Sequence, residues 1–373
     1  MASSDDIPRW VSLALVPLVQ VVLAFAVSGL VVLLTGESPL EAMGLLLTGA
    51  FGYQEAWGYT LYYATNFIFT GLAVAVAFHA GLFNIGGEGQ AYIGGLGVGL
   101  VALGFDQTLP LLLIVPLAML AAALFGGFWA FVPGYLQARR GSHIVISTIM
   151  FNFIAAALMV YLMNDVLKSP GTMSPESRRF ADSAVLPALH EVLGAVGFDI
   201  ARSPLNLSFF WALACCGFVW LFLWHTRQGY ALRTVGFNER AAVYGGIQPP
   251  RVVMATMALS GALAGFVGLN EILGAQQRLL LDFTAGYGFA GIAVSLMGRN
   301  HPLGIVLAAL LFGALYQGGT ELVFEMPSVN RELVVVIQGL VIFFCGALEH
   351  LFQPLVAGWF RSRRLATVEV RHG

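Results

Sequence analysis

Long apolar runs recur along the whole chain, broken by short polar stretches, and that pattern predicts the elements. A helix rises 1.5 Å per residue, so about 20 apolar residues cross the hydrocarbon of a bilayer. Val11 to Leu34 is the first such span. Ser38 to Gly52 has helical spacing and few charges, which fits a helix lying in the interface. Tyr59 to Phe78 and Gly81 to Gly104 follow with almost nothing between them. Leu109 to Tyr135 is the fourth, ending at Arg139 and Arg140, and Ile144 to Met163 is the fifth. After a long hydrophilic stretch, Asn164 to Leu205, comes Phe209 to Trp224. His225 to Arg251 is a polar, basic connector. Val252 to Leu273, a short Phe283 to Met297, Leu303 to Phe324 and Leu333 to Phe352 complete about ten spans.

Composition agrees. The chain has 373 residues, 58% of them hydrophobic and only 10% charged, with mean hydropathy +0.81. That excludes a soluble globular domain and predicts an all-α polytopic membrane protein, a single transmembrane domain over 1–373. The alternating ten-residue segments of a β-barrel are absent from the sequence. Met1 to Trp10 lack a basic n-region, so the first run is expected to stay as an anchor. Cys215, Cys216 and Cys345 lie in apolar runs and are expected to act as small hydrophobes. A net charge of −2 and the lack of a basic cluster predict no nucleic-acid partner; the surroundings are membrane lipid.

Charge sets the orientation. With the N-terminus in the cytoplasm, Arg139, Arg140, Arg227, Arg233, Arg240, Arg251, Arg299, Arg361, Arg363 and Arg364 all fall inside. Lys168, Arg178, Arg179, Arg202, Arg278 and Arg331 remain outside, four of them in the 164–205 loop. The positive-inside rule then predicts both termini and the 225–251 connector to be cytoplasmic, and the long loop external. Paired spans at Tyr59 to Gly104 and Phe283 to Phe324 share one predicted orientation, a faint internal repeat.

The chemistry concentrates in Gly81 to Gly95. This stretch holds Asn84, Glu88 and Gln90 inside an apolar region, together with Gly81, Gly86, Gly87 and Gly89. A carboxylate at the centre of a membrane helix costs about 2.5–3.5 kcal/mol, and broken backbone survives only beside protein or a water-filled cavity. The segment is expected to face a polar pathway or a packed interior. Gly95 to Gly99 has no strand before it, so glycines four apart here, like Gly261 and Gly265, are expected to let helices approach closely.

Other chemistry is excluded by what the chain lacks. Its single lysine, Lys168, follows Leu167 and precedes Ser169, so it cannot form a phosphate-binding P-loop. No histidine or acid spacing predicts a metal, and His143, His225, His301 and His350 lie near span ends, where an interfacial or capping role is expected. No paired acids or nucleophile–base set predicts an enzyme. In the connector, Asn238 can cap a short helix, Glu239 to Tyr244, that Gly245 and Gly246 end. Its small face, Ala241 and Ala242, suits docking into a partner's groove, against the alternative of an ordinary capped loop.

Four motifs carry a resemblance: FNIGGEGQAYIGG (83–95), SHIVISTIMFNFIA (142–155), GFNERAAVYGGI (236–247) and GYGFAGIAVSLMGRNHPLGIVLAALLFGAL (286–315). In this order they resemble the permease subunits of bacterial ABC importers, the family of ribose and branched-chain amino-acid permeases. The nucleoside-type branch, which works with a Bmp-type binding lipoprotein, is the most similar in appearance. The resemblance implies an inner-membrane permease of about ten helices, paired with a second, different permease. It also implies a separate ATPase using ATP and Mg, an external substrate-binding lipoprotein, and no cofactor on this chain. The connector, with Gly236, Asn238, Glu239, Arg240, Ala241, Ala242, Tyr244, Gly245 and Gly246, would be the coupling helix.

A nucleoside needs aromatic faces for its base and amides or carboxylates for its ribose hydroxyls. Phe83, Asn84, Glu88, Gln90 and Asn152, with Asn270 and Glu271 after them, are the candidates for the pathway. The alternative for each is a hydrogen bond that holds the bundle, about 0.6 kcal/mol on average, and for Glu88 also a place at a helix N-terminus, where carboxylates are favoured. The alternatives in function are a permease for a simple sugar or other small metabolite, or an ion-coupled transporter with Glu88 as the titrating group.

Overall fold

The computed structural model describes residues 16–344, and within them the chain is helical, with only isolated bridges between extended segments. Two compact units emerge: residues 50–317, and residues 16–49 with 318–344. In order, the helices are α1 (Val16–Leu34), α2 (Pro39–Phe51), α3 (Gln54–His79), α4 (Gly87–Phe105), α5 (Leu111–Arg140) and α6 (Ile144–Tyr161). Then come α7 (Leu189–Ala195), α8 (Ser208–His225), α9 (Arg227–Phe237), α10 (Glu239–Tyr244) and α11 (Pro249–Gly265). The series closes with α12 (Tyr287–Met297), α13 (Pro302–Glu325) and α14 (Arg331–Ile342).

Six helical stretches among the described residues are long and apolar enough to cross a membrane, or seven if α1 and α2, bent by 118°, count as one broken span. Several boundaries move from those read off the sequence. The stretch after Gly81 is an open turn, and α4 begins only at Gly87. The run from Phe283 becomes helical at Tyr287, and its 11 residues rise about 16 Å, half a bilayer's hydrocarbon. The π-type turns Leu162–Val166 and Leu269–Gln276 extend α6 and the α11 segment. Residues 11–15 of the first predicted span and 345–352 of the last lie outside the described residues. So do Cys345, His350, Arg361, Arg363, Arg364 and both termini.

Small residues hold the larger unit together. Gly126 on α5 faces Gly261 and Gly265 on α11, and Gly94 on α4 meets Gly265. A Cβ at any of the four would run into the facing backbone. Lipid gives apolar helices no hydrophobic reason to associate, so this close approach supplies dispersion contact that larger side chains would forbid. The closely spaced glycines of α4 thus serve packing: Gly95 lies against Gly268, Gly97 against Phe125 and Gly99 against Leu279. α3 is the most enclosed span, lined by α8, α11 and α12. Cys215 and Cys216 are buried in α8.

In the smaller unit, α1 packs on α14, and Val32, Ala42, Leu322, Met326, Val329, Val334 and Ile337 form its core. Asn330 caps α14, its Oδ1 accepting from Leu333 N at 2.9 Å.

The long loop is docked by hydrogen bonds. Ser177 N and Phe180 N donate to Leu279 O and Gln277 O, both at 2.9 Å, and Leu186 N donates to Leu273 O at 3.0 Å. Arg178 grips Asp106 with both terminal nitrogens, at 2.5 and 2.8 Å. Arg278 pairs with Glu176 at 2.9 Å. One end of the larger unit therefore gathers Asp106, the 164–205 loop and Gln277. The other gathers His79 with Asn300 (3.1 Å) and the turn at Gly81 with Gly236.

Candidate substrate pathway

The open turn before α4 is held by amide side chains. Asn84 Nδ2 donates to Gln90 Oε1 and to Ser260 Oγ, each at 2.9 Å. Its Oδ1 accepts from Gly86 N at 2.9 Å and from Gln90 Nε2 at 3.0 Å. Ser260 in turn donates to Ala73 O at 2.6 Å. Asn84 and Gln90 are fully buried and mutually satisfied, a reciprocal pair that supports non-helical backbone inside an apolar bundle. Asn152 reaches across from α6, accepting from Gly89 N at 2.9 Å and donating to Ile85 O at 3.0 Å. Phe83 is half-buried, edge-on to Phe78 with ring centroids 5.2 Å apart.

Glu88 serves the start of the short helix α12. Its Oε1 accepts from Gly286 N at 2.9 Å and its Oε2 from Gly288 N at 2.7 Å, and the Thr284 side chain bonds the same carboxylate. These amides have no intrahelical partner, and the helix N-terminus favours a negative charge. Two glycines make the fit possible. Gly286 has left-handed φ of 82°, and a Cβ on Gly288 would collide with the Glu88 backbone.

Asn270 and Glu271 belong to a second, deeper cluster. Glu271 Oε1 accepts from Tyr62 Oη and from Asn66 Nδ2, each at 2.6 Å, and Gln276 and Tyr287 also bond its carboxylate. Asn270 Nδ2 donates to Asn66 Oδ1 at 2.9 Å and to Tyr62 O at 3.1 Å. Its Oδ1 accepts from Asn206 Nδ2 and Ser208 Oγ, both at 2.9 Å. Rings surround it: Phe67 meets Tyr316 at 5.0 Å and Tyr287 at 5.5 Å. Tyr287 lies between the two glycines that Glu88 holds, so both carboxylates converge on the first turn of α12.

Beside the half-buried Phe83, the other six candidates separate by access. Glu88 and Asn152 are half-buried beside Ile85 and Gly286, and the neighbouring Ala285 and Phe289 are exposed, so this corner reaches the chain's surface. Asn84, Gln90, Asn270 and Glu271 do not. Sequence reasoning missed Tyr62, Asn66, Ser260 and Tyr287. The signal was there for two of them, since Tyr62 and Asn66 stand one helical turn apart in an apolar span.

At the opposite end, Asn238 caps α10, its Oδ1 accepting from Ala241 N at 3.1 Å, and Gly246 (φ 78°) ends the segment. Thr226 caps α9 in the same way, through Gly229 N at 3.0 Å. Asn238, Glu239, Arg240, Ala241, Gly245 and Gly246 are exposed. Phe237 and Tyr244 are exposed almost completely, at 91% and 95%. The small-residue face needs one correction: Ala242 is buried and turned into the chain, so Ala241 alone of that pair is free to dock. Gly236 is half-buried, and a Cβ there would strike His79 O. His301 Nδ1 accepts from Leu303 N at 3.3 Å, the expected capping role. Among the described residues no group of three or more His, Cys, Asp or Glu could hold a metal.

Comparisons with known proteins point to one family. A guanosine ABC transporter permease protein of Bacillus subtilis is 37% identical over 88% of this chain and 92% of its own length. A glucose ABC transporter permease protein of Haloferax volcanii is 34% identical over 91% of this chain and 88% of its own. A nucleoside ABC transporter permease protein of Lactococcus lactis is 31% identical over 88% and 90%. Residues 57–346 match the family described as the branched-chain amino acid transport system permease component. The chain belongs to that family: it is a multi-pass protein of the cell's inner membrane and the permease subunit of an ABC importer.

Proposed function

We propose that this chain imports a nucleoside, as one of a pair of permeases moved by a separate ATPase that uses ATP and Mg. The carrying observation is that two relatives, 37% and 31% identical over nearly their whole lengths, are named for guanosine and nucleoside. The chain acts as one transmembrane domain of about ten helices with both termini in the cytoplasm, binds no cofactor, and receives substrate from an external binding lipoprotein. The second permease is a different chain.

Glu88, Asn152 and the first turn of α12 line the pathway in this reading. Support comes from the half-buried carboxylate of Glu88 and amide of Asn152 at a corner whose neighbours Ala285 and Phe289 are exposed, since polar side chains in a membrane bundle are costly unless they face protein or a water-filled path. The deeper Asn84, Gln90, Asn270 and Glu271 hold the walls. Asn238 to Gly246 docks on the ATPase, whose closure switches the permease pair between two packings.

The test is uptake of labelled guanosine by cells expressing the full transporter, with competitors added. Unlabelled nucleosides should compete and glucose should not; uptake should stop on ATP depletion and survive an uncoupler. The glucose permease relative favours a sugar as the second reading. Competition by glucose but not by nucleosides would establish it, and uptake that follows the ion gradient would end the ATP-driven reading.

A further inference from the structure

A cavity of about 520 Å³ lies between α5, α8 and the turn Leu269–Gln276, at the end of the bundle where α5 and α8 begin. α5 lines it from Leu111 to Met119, the 164–205 loop adds Leu186 and Pro187, and the buried Leu269 and Leu273 form its inner wall. Leu112 and Pro116, one helical turn apart on that stretch of α5, are exposed, Leu112 at 83%. The cavity therefore opens outward through the flank of the span.

The lining side chains offer a ligand almost nothing polar. Ser208 spends its hydroxyl on Asn270 Oδ1 at 2.9 Å, and the indole nitrogen of Trp211 is buried. Water settles in a cavity only with polar partners, so it gains nothing here. An unfilled space, in turn, leaves the lining side chains without dispersion contact on one side. The occupant is therefore apolar, and the medium around a span of an inner-membrane protein is hydrocarbon.

Size separates the two apolar neighbours that a span can have. The rise from Leu111 to Met119 is about 12 Å, within the depth of one leaflet's hydrocarbon, about 15 Å. A helix of another subunit, about 10 Å across, needs about 900 Å³ over that depth and continues past it. A single acyl chain is slender and ends inside its own leaflet. The pathway corner, built by α4, α6 and α12, shares no lining residue with the cavity.

We propose that this cavity binds one acyl chain of a membrane phospholipid as a fixed part of the structure. The chain packs on Leu269 and Leu273, the neighbours in sequence of Asn270 and Glu271. It thus backs the turn whose polar side chains hold Tyr62, Asn66 and Ser208. Protein fills one side of that turn and lipid the other.

The test starts from the assembled transporter in detergent, with bulk lipid exchanged away and the phospholipid that stays counted by native mass spectrometry. Wild type should keep one molecule more per copy of this chain than Val115→Phe with Met119→Phe, which fills the cavity. Wild type stripped completely should lose several degrees of thermal midpoint and regain them with phospholipid, while the filled variant holds its midpoint in both states. A second measurement leaves the size of the cavity's α5 wall unchanged: with brominated acyl chains, the fluorescence that wild type has over Trp211→Phe should be quenched by the retained lipid alone. Trp211 left unquenched by that lipid overturns the inference, whatever the filled variant does. Equal lipid counts for wild type and a folded filled variant overturn it as well. So does quenching that disappears once the second permease joins, which would make that subunit the occupant.

Discussion

Glu88 and Glu271 are both acids within the bundle and both meet the first turn of α12, yet they are held in opposite ways. Glu88 spends each oxygen on a backbone amide, at 2.9 and 2.7 Å, in a half-buried corner. Glu271 takes two side-chain donors on one oxygen, both at 2.6 Å, and is 2% exposed. A side-chain donor can turn, or trade donor for acceptor; a backbone amide at a helix start can do neither. Glu88 is therefore bound to the geometry of α12, and Glu271 to a set of partners able to rearrange together. The accessible acid is the rigidly specified one, and it ties the start of α12 to the start of α4.

Removing Glu88 should have the largest effect. Glu88→Ala strands the amides of Gly286 and Gly288 in a half-buried corner, at about 1–3 kcal/mol each. The purified permease pair should lose several degrees of thermal midpoint, and uptake should fall at least about tenfold. Glu88→Gln should recover part of the midpoint only, because its NH₂ must face one of the two amides. Equal recovery by Gln and wild type would erase the contrast between the two acids.

A third carboxylate, Asp106, calibrates the comparison from outside the hydrocarbon. Arg178 beside it holds its carboxyl below the ordinary carboxylate value, with help from the amide of Ala181 and against its own burial. Arg178→Ala should cost about 1 kcal/mol, since the arginine is 43% exposed and screened. For a lowered pKa the stabilisation is complete above the unfolded value, about 4, and is lost as pH falls through the native one. The gap in midpoint between wild type and Arg178→Ala should thus be full at neutral pH and close on the acid side of pH 4. A gap that widened there would contradict the pairing.

How much of this was legible in the sequence follows from the same chemistry. Six of the ten spans were, because runs such as 144–163 match a bilayer in length, and the short connector helix was, because Asn238 and Gly246 are local signals read over a few residues. The irregular turn at 81–86 showed through its glycines and amides. The partners did not. Nothing near Glu88 in sequence points to Gly286 and Gly288, about 200 residues away, and Tyr62 passes for an ordinary aromatic until Glu271 is set against it. The length of α12 was hidden too, since Phe283 to Gly286 are as apolar as the helix they precede. Ala242 illustrates the limit at close range: composition made it part of a small face, and only the docked helix shows that the face is turned inward.

The smallest expected effect belongs to Glu271→Gln, and it decides whether the two acids truly differ. A glutamine can put its carbonyl where Oε1 stands and keep both 2.6 Å bonds, from Tyr62 Oη and Asn66 Nδ2. Gln276 and Tyr287, which also bond the carboxylate, then meet its carbonyl or its NH₂. Gln276 can turn its own carbonyl towards the NH₂, and the Tyr287 hydroxyl can accept instead of donate. Every group then keeps a partner, so the cost should stay within about 1 kcal/mol, in line with the modest worth of hydrogen bonds between membrane helices. Uptake should remain within a few-fold of wild type, while Glu271→Leu, which leaves Tyr62 and Asn66 without an acceptor, should lower the midpoint well below that of Gln. If Glu271→Gln instead stops uptake with the midpoint unchanged, the charge of this buried acid takes part in transport. Glu271 would then move from the wall of the pathway into its working parts.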